Sequence, residues 1–94
     1  MSVAELVAKS KVVVFSWIHC PFCVRAKDIL KPLVKDLQVY EVDTMPNGED
    51  LREQIFKQYE HDTVPAIFIN GKFIGGCSDL QALQKSGELS KLLA

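Results

Sequence analysis

Residues 11–42, KVVVFSWIHCPFCVRAKDILKPLVKDLQVYEV, decide the fold. Lys11-Val12-Val13-Val14-Phe15-Ser16 is a continuous β-branched and aromatic run, the pattern of a strand buried on both faces. From Pro21 onward, Ala26, Ile29, Leu30, Leu33 and Leu37 recur at helical spacing, with Lys and Asp on the other side. Pro32 falls inside that series and is expected to kink or restart the helix, because it lacks an N–H and its ring clashes with the preceding turn. Val39-Tyr40-Glu41-Val42 then reads as a second short strand. Strand, helix, strand is a βαβ unit, whose crossover should be right-handed.

The flanks extend this unit. Ser2-Val3-Ala4-Glu5 has the form of a capping box opening a short helix to about Lys9. After a turn from Thr44 to Gly48, Leu51, Ile55 and Tyr59 mark one face of another helix. Ala66-Ile67-Phe68-Ile69 and Lys72-Phe73-Ile74 flank Asn70-Gly71, which predicts a type I′ hairpin because that turn needs φ > 0 at both central positions. Gly75-Gly76 should stop the last strand. Ser78-Asp79 should open a final helical segment with Leu80, Leu83, Leu89 and Leu92 facing inward.

Ninety-four residues suit a single domain spanning 1–94, since two would each lack an adequate interior. At 48% hydrophobic and 24% charged, the composition is that of an ordinary globular chain. Net charge is −1 and the basic residues are scattered, which argues against nucleic acid as a partner. No apolar run approaches the roughly 20 residues that would span a bilayer, so no membrane association is expected. Residues 1–10 lack the apolar core of a signal peptide, leaving the cytoplasm as the expected location and a monomer as the expected state. Three cysteines, two of them three residues apart, suit redox chemistry or metal better than a secreted disulfide framework.

Cys20-Pro21-Phe22-Cys23 lies where the first strand gives way to its helix. The first turn of a helix presents unpaired N–H groups and about half a positive charge. A cysteine there is favoured as thiolate, which is the reactive form. Pro21 suits the first helical position, where its missing N–H costs nothing. Cys23 falls on the same face within reach of the Cys20 sulfur and should be the more buried. Cys20 is therefore read as the nucleophile and Cys23 as the resolving thiol. The competing reading is half of a zinc site, but zinc takes four ligands and only His19, His61 and Cys77 are left to complete one. No metal is expected.

Two further stretches carry chemistry. Pro65 in Thr63-Val64-Pro65 can open a strand simply because no N–H is needed there. Gly75-Gly76 is either a plain turn or a place where backbone approaches a ligand. The N–H groups of Cys77 and Ser78 follow at a helix start, an anion site in waiting. Cys77 itself reads as a small residue packed beside that site.

Phe15-Ser16, Cys20-Pro21-Phe22-Cys23, Thr63-Val64-Pro65 and Gly75-Gly76-Cys77-Ser78-Asp79, in that order and at those separations, resemble the dithiol glutaredoxins from about Lys11 to the end. The resemblance implies a thioredoxin-like α/β fold, a four-stranded mixed sheet flanked by helices on both faces. It implies reduction of glutathione mixed disulfides and of protein disulfides, with glutathione as co-substrate and a glutathione-type reductase recycling the product. It also implies a cis peptide between Val64 and Pro65, the γ-glutamyl carboxylate at Gly76, Cys77 and Ser78, and Asp79 near its ammonium. One position departs from the pattern. Trp17 stands where relatives usually carry lysine, leaving Arg52 to hold the glycine carboxylate of glutathione, with Lys57 a lesser candidate. Trp17, His19, Pro21 and Phe22 form the expected rim. Whether glutathione or a conjugate such as trypanothione is the reductant stays open at this level.

Three rivals are weighed against this reading. An iron–sulfur dimer ligated by Cys20 and bound glutathione is disfavoured by Pro21, since cluster-holding relatives usually lack that proline. A thioredoxin proper would carry Trp-Cys-Gly-Pro-Cys and would not need the glycine pair. A non-catalytic binding module would have no use for both cysteines.

Overall fold

The computed structural model describes residues 2–94. Its elements run α1 (Val3–Ala8), β1 (Val12–Ser16), α2 (Pro21–Leu30), β2 (Leu37–Glu41), α3 (Gly48–Tyr59), β3 (Ala66–Ile69), β4 (Lys72–Gly75), α4 (Cys77–Ser86) and α5 (Glu88–Leu93). The four strands form one sheet in the order β2-β1-β3-β4. β1 pairs with β2 in parallel, in a register that sets Ser16 beside Glu41, and β3 runs antiparallel to both β1 and β4.

Position in the sheet explains the strand compositions. β1 and β3 are central and buried at every residue, whereas the edge strands β2 and β4 are mostly half-buried. Successive side chains alternate between faces. Val13, Phe15, Ala66 and Phe68 meet α1 and α3 on one side, through Leu6, Leu51 and Ile55. Val12, Val14, Ile67 and Ile69 meet α2, α4 and α5 on the other, through Ala26, Leu30, Leu80 and Leu89. Each fully buried Leu, Ile or Phe contributes roughly 1.5–3 kcal/mol of transfer free energy. The sheet thus has two separate cores and helices on both faces, as expected.

Local signals account for most of the ends. Ser2 Oγ accepts from the Glu5 N–H and Glu5 Oε1 accepts from the Ser2 N–H, both at 3.1 Å, closing the capping box. The hairpin turn has Asn70 at φ 53° and Gly71 at φ 80°, the left-handed pair that type I′ requires. Gly48 packs where a Cβ would land on the Val42 carbonyl, so only glycine allows α3 to start there.

Two expectations need correction. α2 ends at Leu30 and does not carry the Leu33 and Leu37 positions of the apolar series. Pro32 has no N–H to continue the ladder, and the Leu33 and Val34 N–H groups both turn back to Leu30 O at 3.0 Å. Leu33 is exposed, and Leu37 opens β2, which therefore runs Leu37–Glu41 instead of Val39–Val42. The final helical segment is also two helices. Gly87, at φ 84°, ends α4 in the left-handed conformation before α5 begins.

Candidate functional site

Cys20 is the N-cap of α2, with extended backbone (φ −90°, ψ 118°), and Pro21 is the first helical residue. The loop feeding it is pinned on two sides. The Ile18 N–H points at both Asp43 carboxylate oxygens at 3.3 Å, and the Cys20 N–H donates to Trp17 O at 3.4 Å. Cys20 is half-buried, and its S–H lies 3.9 Å from Val64 O. Val64 and Pro65 are joined by a cis peptide bond, as the resemblance implied.

Cys23 is wholly buried behind Cys20, and its sulfur accepts the Trp17 N–H at 3.5 Å. Burial pushes the Cys23 thiol up to about 12; the Trp17 N–H opposes this, while the adjacent Cys20 sulfur adds to it. Cys23 is therefore held as a thiol at neutral pH, behind an accessible Cys20. Cys77 is also buried, which raises its thiol, with Arg25 opposing and Cys20 adding. That pattern suits a packed side chain rather than a third reactive sulfur.

Cys20 opens onto a groove of about 620 Å³ that brings together Trp17, Phe22, Arg52, Thr63, Val64, Pro65, Gly76, Cys77, Ser78 and Asp79. Ten of the residues singled out from sequence thus line one groove with the nucleophile. Cys77 and Ser78 begin α4, so their N–H groups have no partner within the helix. The Gly76 N–H is taken by Asp79 Oδ2 at 3.0 Å, and a Cβ at Gly75 (φ 123°) would strike that same carboxylate.

Arg52 is held at the opposite end. Its guanidinium lies 4.9 Å from the Trp17 ring centroid, within cation–π range, and Nη2 donates to Asp62 O at 3.3 Å. Trp17 is thus an aromatic platform for Arg52 as well as a rim residue. Lys57 pairs with Glu53 at 3.4 Å on an exposed face of α3, away from the groove lining. His19 and Pro21 line a neighbouring depression between α2 and α4, with Ile18, Arg25 and Gln84, and do not face the groove.

The groove also contains residues to which sequence assigned no such place: His61, Asp62 and Gln81. His61 Nε2–H donates to Pro65 O at 3.1 Å, with Thr63 Oγ1 at 3.4 Å and Phe73 against the ring edge. It buttresses the turn carrying Val64 and Pro65 from within the same loop, with Phe73 of β4 holding the ring in place. Among the described residues no three His, Cys, Asp or Glu side chains converge as metal ligands would.

Comparison with known proteins gives one family throughout. The family model for Glutaredoxin matches residues 12–74. The chain is 44% identical over 89 residues to the chloroplastic Glutaredoxin-C4 of Oryza sativa, covering 95% of this chain and 67% of that protein. The solution structure of a dithiolic glutaredoxin from Trypanosoma brucei brucei superposes with a TM-score of 0.95 at 56% identity, covering 100% of this chain and 97% of that one. A crystal structure of a buckwheat glutaredoxin–glutathione complex superposes with a TM-score of 0.92 at 32% identity, covering 96% and 82%.

Proposed function

Because the chain belongs to the glutaredoxin family, and so is a thiol–disulfide oxidoreductase, we propose that it reduces glutathione mixed disulfides through Cys20 alone and protein disulfides through Cys20 and Cys23 together. One observation carries the reading: a half-exposed cysteine caps α2 at the floor of the groove, with a second, fully buried thiol behind it.

The Cys20 thiolate attacks the glutathionyl sulfur of a modified protein. A Cys20–glutathione disulfide forms, and the protein sulfur leaves with the electron pair. A second glutathione attacks the glutathionyl sulfur, freeing Cys20 and producing glutathione disulfide, which a separate reductase recycles. With a protein disulfide, Cys20 forms a mixed disulfide that Cys23 then attacks, releasing the substrate and leaving an internal disulfide for two glutathiones to reopen. Rates follow the attacking thiolate and the leaving group together.

The groove supplies a partner for each end of glutathione. The Cys77 and Ser78 N–H groups at the start of α4 suit the γ-glutamyl carboxylate. Asp79 suits the ammonium, the Val64 backbone suits the peptide, and Arg52 suits the glycine carboxylate. The existence of a glutathione complex of the buckwheat protein supports glutathione as the ligand. A reducing compartment such as the cytoplasm would keep all three cysteines as thiols. The test is turnover on a glutathionylated peptide with glutathione and trypanothione run in parallel. Failure of both thiols to support turnover by a Cys23→Ser protein would refute the proposal.

A further inference from the structure

The two halves of the groove are carried by two turns that the sheet leaves untied. Thr63-Val64-Pro65 leads into β3, and Gly75-Gly76 leads from β4 into α4. The β3–β4 ladder ends at the pair Ile67–Gly75, and among the described residues no backbone hydrogen bond joins residues 63–65 to Gly76 beyond it. His61 spans that gap. Its Nε2 lies 3.1 Å from the Pro65 carbonyl, which can only accept, so Nε2 carries the proton. Its Cε1 packs on Gly76, where a Cβ would stand 3.5 Å from that carbon and 3.6 Å from Pro65 O. One ring thus touches both turns. It is held from behind by Phe73 of β4, edge-on with centroids 5.2 Å apart, and Phe73 in turn packs on Tyr59 and Phe68. Pro65 is buried, so losing this partner leaves its carbonyl poorly compensated.

A ligand gripped at two points feels the spacing of those points. The Val64 backbone and the Cys77 and Ser78 N–H groups, assigned above to the peptide and to the γ-glutamyl carboxylate, lie on the two turns that His61 joins. With the spacing fixed beforehand, the second contact requires no further ordering once the first is made. The Cys20 sulfur is less dependent on it. Cys20 is positioned by the start of α2 and by its N–H bond to Trp17 O, neither of which His61 touches.

We propose that His61 is a specificity-determining residue: by bonding the Pro65 carbonyl while packing on Gly76, it fixes the distance between the two ligand-holding turns and so favours glutathione over other thiols. This rests on the glutathione reading above. His61 is a positioning residue that acts through Val64 and the start of α4 and leaves the chemistry of the Cys20 sulfur unchanged. The hydrogen bond is the decisive element, because it is the directional contact that ties one turn to the ring.

Two mixed disulfides of one peptide separate these effects, one with glutathione and one with 2-mercaptoethanol, which offers a sulfur without either charged end. In His61→Ala the KM for the glutathione form should rise at least about fivefold, the loss expected when a buried acceptor goes unpaired. Its kcat, the kcat/KM on the mercaptoethanol form and the rate of Cys20 alkylation by iodoacetamide should all stay within about twofold of the parent. His61→Gln returns a donor to Pro65 O and should restore the glutathione KM to within about twofold, whereas His61→Phe keeps a ring without the donor and should not. The comparison of Gln with Phe decides the matter even where the Ala variant fails to fold. An unchanged glutathione KM in His61→Phe would overturn the proposal. So would equal losses on the two disulfides, or a slowed alkylation, since His61 would then be supporting Cys20 itself. A parent protein with no preference for the glutathione form would instead overturn the glutathione reading.

Discussion

Replacing Arg52 by Ala tests how the groove holds the far end of its ligand. The guanidinium is pre-positioned by two contacts, the Trp17 ring at 4.9 Å and Asp62 O at 3.3 Å, so little side-chain freedom remains to be lost on binding. A hydrogen bond between charged partners contributes about 1.5–3 kcal/mol when desolvated. Arg52 is half-buried at the groove's edge, and solvent screening there brings the expected loss to about 1–2 kcal/mol. At 1.4 kcal/mol per decade, Arg52→Ala should raise the glutathione concentration for half-maximal turnover about 5- to 30-fold. Arg52→Lys should fall between, because it keeps the charge but loses the planar fork and the stack on Trp17. The assay is initial rate on a glutathionylated peptide against glutathione concentration, at fixed ionic strength. An Arg52→Ala protein with unchanged glutathione dependence would refute the reasoning and place the carboxylate elsewhere.

The two cysteines should separate by function: Cys20→Ser abolishes all turnover, whereas Cys23→Ser keeps deglutathionylation and loses most reduction of protein disulfides, as read in parallel assays with the two substrate types. Cys23 should also shape alkaline stability. Its thiol is raised in the folded state from an ordinary value near 9 to about 12, so the unfolded chain releases this proton first; the contribution is intact below about pH 9 and is lost as pH rises towards 12. Urea midpoints across that range should fall more steeply for the parent than for Cys23→Ser. Gly48→Ala should cost about 2 kcal/mol or more by driving a methyl into the Val42 carbonyl, lowering the melting temperature by about 8 °C or more in a thermal scan.

Where local rules dominate, the sequence was sufficient. The capping box at Ser2, the Asn70-Gly71 turn, the doubly buried β1 and the Cys20 helix start each depend on neighbours in the chain, and each stands as read. The errors arose where two periodicities overlap. Leu37 follows Leu33 by four, so it continues a helical series while actually beginning the 37, 39 alternation of β2. Gly87 sits inside an apolar pattern that is unbroken on paper, because α4 and α5 bury leucines against the same core. In the site, Cys20, Phe22, Thr63, Val64, Pro65, Gly76, Cys77, Ser78 and Asp79 line one groove, whereas Pro21 lines the neighbouring depression. The Arg52–Trp17 stack and the Lys27–Glu41 pair were not legible, because each joins elements far apart in the chain; the His61 contact with Pro65 spans only four residues but depends on the folded shape of that loop.

Trp17 is the single tryptophan of the chain, and it lies half in solvent against the Arg52 guanidinium at the rim of the reactive groove. An indole is a natural fluorophore whose emission responds to adjacent cations, to sulfur and to water. The molecule therefore carries its own optical probe at the point where ligand, arginine and cysteines meet. Its backbone N–H already contacts the Cys23 sulfur, so closing the internal disulfide alters the surroundings of the same residue that a ligand drawing Arg52 away would alter. Occupancy and oxidation state can then be followed in the unlabelled protein, and the two signals told apart by adding a reductant that lacks a carboxylate.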